Sequence, residues 1–227
     1  MKYLKMLGLA AVAAMALTAV AGAGSASAHA VLCKESAIPC GSSYKTGEHI
    51  TATAGTTRFT AGLEVTCTSS EATIQVTGAG GEGKMTGLTF GGCKSSLGGC
   101  TVTAEGLPYS GEADVSGTGP NGTLTLAGAQ AGVKCEGLTC TYAVTSLSLP
   151  IDGGSTALVT ANGVELKKTG GGFLCPSTVK WDATYSTSNV WVRVQCVPQV
   201  KGTYTDLEEC EKLFNAEPGK GSWDPVA

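Results

Sequence analysis

Charge is scarce in this chain: of 227 residues only 15 are Lys or Arg, 18 are Asp or Glu and two are His. With no basic stripe there is nothing to follow a phosphate backbone or to hold an anionic lipid surface, which excludes nucleic acid as a partner. Histidine is confined to His29 and His49, so a Ser-His-Asp set would have to use one of these two. No Gly-x-Ser-x-Gly turn is present to expose a nucleophilic serine. No Cys-x2-Cys pair exists, which removes the usual zinc framework, and no loop carries Asp or Asn at alternate positions for calcium. A helical apolar period is missing from Val31 to Val194. Aromatics make up only 6% of the chain.

What is present begins with an export signal over 1–28. Lys2 and Lys5 supply the positive start, Leu7 to Val20 the apolar run, and Ala26-Ser27-Ala28 the small-residue cleavage site. Gly22, Gly24 and Ser25 interrupt the run before it is long enough for a retained membrane helix. Cys33 follows Val31-Leu32 where lipid attachment would want a small residue. The expectation is a secreted protein, extracellular or at the cell surface, with no membrane insertion once the signal is gone. Removal takes Lys2 and Lys5 and no acid, so the net charge moves from −3 to −5.

All ten cysteines follow the signal: Cys33, Cys40, Cys67, Cys93, Cys100, Cys135, Cys140, Cys175, Cys196 and Cys210. An even count in an exported chain predicts five disulfides. Cys33–Cys40, Cys135–Cys140 and Cys196–Cys210 read as local pairs. The other four close either as Cys67–Cys93 with Cys100–Cys175 or as Cys93–Cys100 with Cys67–Cys175.

Period-2 alternation runs through the rest. Leu63, Val65 and Cys67 alternate with polar residues, the phase slips at Ser69-Ser70-Glu71, and Ala72, Ile74 and Val76 take over, which predicts a bulge or bend. Glycines at 78, 80, 81 and 83 turn the chain, Leu88 and Phe90 return, and Cys67 and Cys93 lie nearly symmetrically about that turn. Ile50–Thr53, Leu124–Leu126, Val133–Cys135, Cys140–Val144, Val179–Tyr185 and Val190–Val194 read as further strands. Asn162-Gly163 reads as a type I′ hairpin turn. The predicted fold is all-β, an antiparallel β-sandwich or barrel-like sheet braced by disulfides over 29–194. The period changes after it, and 195–227 reads as a small helical, disulfide-clipped appendage in which Leu207, Cys210, Leu213 and Phe214 share a face.

Several segments resemble a large set of secreted, cysteine-rich proteins of soil actinobacteria. These are Val31-Leu32-Cys33-Lys34 to Pro39-Cys40, Val65-Thr66-Cys67-Thr68-Ser69-Ser70, Leu88 to Cys93, Cys100 to Ala104, and Cys175-Pro176-Ser177 through Trp181 to Tyr185. The resemblance implies fold and address. It brings no established activity with it.

Three candidate sites follow from residue types. Cleavage after Ala28 would leave His29 at the N-terminus, where amine and imidazole together bind copper, with His49 as the available second ligand. The acids Glu64, Glu71, Glu105, Asp114, Asp152 and Asp182 are scattered singly, the pattern of solvated charge rather than a glycosidase pair. Trp191 is out of phase with Val190, Val192 and Val194, so it is either an exposed ligand-binding ring or part of a strand buried on both faces. The functional expectation is a non-enzymatic extracellular structural or binding protein with no cofactor and an extracellular or cell-envelope partner. The rival is a secreted copper-dependent or polysaccharide-active enzyme built on His29.

Overall fold

The computed structural model describes residues 29–37, 40–79, 81–96, 98–115 and 121–195. The export signal, the appendage after Gln195 and its Cys196 and Cys210 lie outside the described residues. Within them the chain is all-β and antiparallel, as the alternation predicts.

Fifteen strands reduce to eight long arms, because several consecutive strands keep one register across the break between them. β2 (His49–Ala54) and β3 (Thr57–Ala61) face β5 (Ser69–Val76) and β4 (Leu63–Cys67) respectively. Ala54 faces Ser70 and Thr57 faces Cys67, three residues on in one strand and three back in the other. They form one hairpin, 49–61 with 63–76. The predicted phase slip falls at its bend, where Thr68 and Ser69 are both exposed between buried Cys67 and Ser70. β6 (Glu82–Gly91) with β7 (Lys94–Ser95) makes the third arm. β8 (Gly98–Glu105) with β9 (Tyr109–Val115) makes the fourth, turned at Gly106 (φ 76°) and a cis Leu107–Pro108 bond. The Tyr109 hydroxyl oxygen pins that corner, 2.6 and 2.7 Å from the carbonyl oxygens of Glu105 and Gln130.

β10 (Gly122–Ala127) continues into β11 (Gln130–Cys135), and β12 (Leu138–Ala143) into β13 (Ser146–Asp152), again in one register. The last two arms are single strands of 18 residues, β14 (Gly154–Gly171) and β15 (Thr178–Gln195). Each arm pairs with its neighbours in chain order. β15 also pairs with β3, Lys180 to Thr60 through Ala183 to Thr57, and with β2 at Ser186 and Thr53, so the ladders run in an unbroken circuit.

One face of nearly every arm is buried. Ile50, Ala52 and Ala54 of β2 and Leu147, Leu149 and Ile151 of β13 point inward between exposed polar neighbours. A short strand ahead of those predicted, β1 (His29–Cys33), extends the sheet by pairing with the end of β15, His29 opposite Gln195 through Cys33 opposite Trp191.

Two expectations are corrected. Asn162-Gly163 does not turn the chain. It is a bulge inside β14, where the register to β15 shifts between Ala161 and Val164, Gly163 sits at φ 61°, and its N–H donates to Asp182 Oδ1 at 2.6 Å. A glycine in the left-handed region serves a bulge as readily as a hairpin turn, and both flanks of this one stay paired with β15. Nor do Cys135 and Cys140 pair with each other. The hairpin register sets Leu138 opposite Cys135 and Val133 opposite Cys140, so the two sulfurs are offset along the ladder.

Candidate functional site

The bridges divide the ring into two unlike halves. Cys67–Cys93 joins the second and third arms, Cys100–Cys135 the fourth and fifth, and Cys140–Cys175 the sixth to the loop after the seventh. Cys100 lies directly opposite Cys135 on the ladder, with Cα atoms 4.2 Å apart. The expected pairs Cys33–Cys40 and Cys67–Cys93 form. Cys100–Cys175, Cys93–Cys100 and Cys67–Cys175 do not, because each of those cysteines has a nearer partner on an adjacent arm. The three inter-arm bridges all fall in the half made by β3, β4, β7, β8, β11 and β12.

That braced half is also where the aromatic rings collect. Phe59 stacks on Trp181 with centroids 6.4 Å apart and meets Phe90 edge-on at 5.4 Å, and Trp181 meets Tyr185 at 6.2 Å. Tyr185 hydroxyl lies 2.7 Å from Ser70 Oγ, which in turn donates to the Thr89 carbonyl at 2.8 Å. Burial pushes the Tyr185 phenol up to about 12.

The opposite half, built from β2, β5, β6, β9, β10 and β13 with the facing parts of β14 and β15, carries no inter-arm bridge and encloses a cavity of about 50 Å³. All eight arms and β1 contribute to its wall, which presents no polar surface. Ala52, Ala113 and Ala157 are buried along its wall. Gly111 and Gly83 also line it; a Cβ on Gly111 would come within 2.6 Å of Leu126 Cδ2.

At the far end of the braced half, Phe173 and Leu174 sit on the loop between β14 and β15, 92% and 66% exposed. The loop is held on both sides of the pair. Cys175 N–H donates to the Gly172 carbonyl at 3.1 Å, Lys168 Nζ reaches the Cys175 carbonyl at 3.1 Å, and the bridge to Cys140 fixes the whole turn. Sequence reasoning passed over this pair; the run Gly170-Gly171-Gly172 ahead of two large apolar residues was the available signal.

The residues singled out from sequence are not brought together. His29 lies opposite Gln195 at the end of β15, whereas exposed His49 opens β2, whose register places it near Val190. The two are thus separated by about five residues of strand, roughly 16 Å along the sheet. Trp191 is half-buried and faces Cys33, and Arg193 on the same side is buried with Nη2 donating to the Ser36 carbonyl at 3.3 Å. Ser36, in the segment that follows Cys33, meets Arg193 there, and burial lowers the Arg193 pKa. On the other face of this strand end Val190 and Val192 are buried. Glu64, Glu71, Asp114 and Asp152 are exposed on separate strands, Glu105 and Asp182 half-buried. Asn121 Oδ1 accepts the Gly153 N–H at 3.2 Å and closes a turn. Among the described residues no three His, Cys, Asp or Glu side chains are grouped to hold a metal. No family model, curated protein or solved structure matches this chain.

Proposed function

We propose that the chain is a secreted, non-enzymatic binding module, a flattened up-and-down barrel that presents Phe173 and Leu174 to an extracellular or cell-envelope partner. The observation that carries this reading is the exposure of two adjacent large apolar side chains on a turn pinned by Cys140–Cys175. Water contact with such a pair is costly to maintain, and burying each against a partner is worth about 1.5–3 kcal/mol. A turn already fixed by a disulfide loses little entropy on docking. The circuit of ladders, closed from β15 back to β3, supports a barrel over an open sandwich, and its polar outer face is the reverse of a lipid-facing strand pattern. Export rests on the signal-like 1–28 segment and accords with the four bridges.

The test is cosedimentation of the purified, oxidised protein with the cell envelope of the producing organism. Wild type should pellet, and the double substitution F173S/L174S should stay in solution with its β spectrum unchanged. Equal pelleting of the two proteins refutes the assignment of the tip. Turnover of a polysaccharide in the presence of copper and reductant, lost when one residue is added before His29, would overturn the non-enzymatic reading.

A further inference from the structure

We infer that the cavity in the half without inter-arm bridges is a binding site for the end of an unbranched alkyl chain. This goes beyond the partner docking proposed for the Phe173–Leu174 tip and concerns the opposite end of the ring. Three observations converge. The wall is wholly apolar, so a buried hydroxyl or charge would find no partner there and would lose its hydration without compensation. The volume, about 50 Å³, is near a third of the ~150 Å³ that holds benzene, which leaves room for a narrow chain end and not for a flat ring. All eight arms and β1 line the space, so a chain end inside it would be surrounded by apolar contacts rather than laid against one face.

The arrangement of bridges points the same way. Disulfides and stacked rings fix one half of the ring, and the cavity lies in the other, where no inter-arm bridge resists the small shifts that entry of a chain end needs. Ala113 is buried on its wall, so a longer side chain there is the direct means of filling it.

The experiment is a titration of the full-length mature, disulfide-bonded protein with 1-hexanol, followed by methyl NMR and by thermal unfolding. The expected result is saturable binding, shifts concentrated on Ile50, Val76, Leu124 and Ile151, and a rise in Tm. Benzyl alcohol should bind at least tenfold more weakly. Ala113→Leu should fill the space and abolish saturable hexanol binding; if that variant does not fold, Ala52→Leu on another arm serves the same end. The F173S/L174S protein should bind hexanol as wild type does, which separates this site from the tip. Absence of saturable binding, binding undiminished in the filled variant, or equal affinity for benzyl alcohol would each overturn the inference.

Discussion

Removing the bridges one at a time gives a stability order that the structure sets in advance. The four described disulfides span 7, 26, 35 and 35 residues, in chain order, and no loop overlaps another. Each therefore constrains its own stretch of the unfolded chain. In the chain-entropy picture, loss of Cys33–Cys40 costs about 2.4 kcal/mol, Cys67–Cys93 about 3.5, and Cys100–Cys135 or Cys140–Cys175 about 3.8 each. The assay is urea unfolding of proteins in which both cysteines of a pair are changed to alanine, so that no thiol remains to exchange. Because the loops are separate, removing two long bridges together should cost about 7–8 kcal/mol, enough to unfold a domain at the lower end of the usual stability range. The reasoning fails if deletion of Cys33–Cys40 costs as much as deletion of either 35-residue bridge. It fails also if mass mapping of the oxidised protein links Cys135 to Cys140.

Two further outcomes follow. The Tyr185 phenol, raised from 10.0 to about 12 in the folded state, keeps its proton at pH values where the unfolded chain has lost its own. Stability from this group is fully present below pH 10 and falls between pH 10 and 12, by about 1.4 kcal/mol per unit; Tyr185→Phe should flatten the slope in unfolding curves across that window, leaving the lesser contributions of Tyr109 and Tyr142, which shift the same way. At the β14 bulge, Gly163→Ala meets no atom within 4 Å but must hold φ 61°, so its cost is backbone strain alone, about 1–2 kcal/mol; Gly171→Ala, at φ 108° with the Thr139 carbonyl 2.6 Å from the new Cβ, should cost more in the same melt.

Alternation was the legible part of this sequence, and it carried most of the strands. Period 2 reports on one arm at a time, and that is also where it stops. Cys67 and Cys93 were readable because both sit on one hairpin, equally far from its glycine turn. Cys135 and Cys140 also share a hairpin and so look paired, yet a hairpin places residues opposite one another by register, not by closeness along the chain. The true partner of Cys135 is Cys100, on its other flank, and only the order of arms reveals it. Asn162-Gly163 misled for a related reason: the local conformation was inferred from a dipeptide that two different backbone settings share. β1 stayed hidden because five residues before a cysteine clip have no period long enough to count.

The cavity lies further still from anything a linear reading detects. Ala52, Ala113 and Ala157 are unremarkable singly, each a small residue on the buried phase of its own strand. They matter only once the eighth arm pairs with the first and brings all their strands around one space. The same closure decides where rigidity goes. Three inter-arm bridges cluster in one half, and there the aromatic core is packed and the Phe173–Leu174 turn is anchored. The other half is held by ladder hydrogen bonds and aliphatic contacts, so it can open by small shifts of single arms without breaking a covalent link. A site that admits a ligand between arms needs that compliance, and a tip that docks on a partner needs the opposite. The placing of the eight described cysteines, uninformative about chemistry, is thus informative about which half is covalently braced.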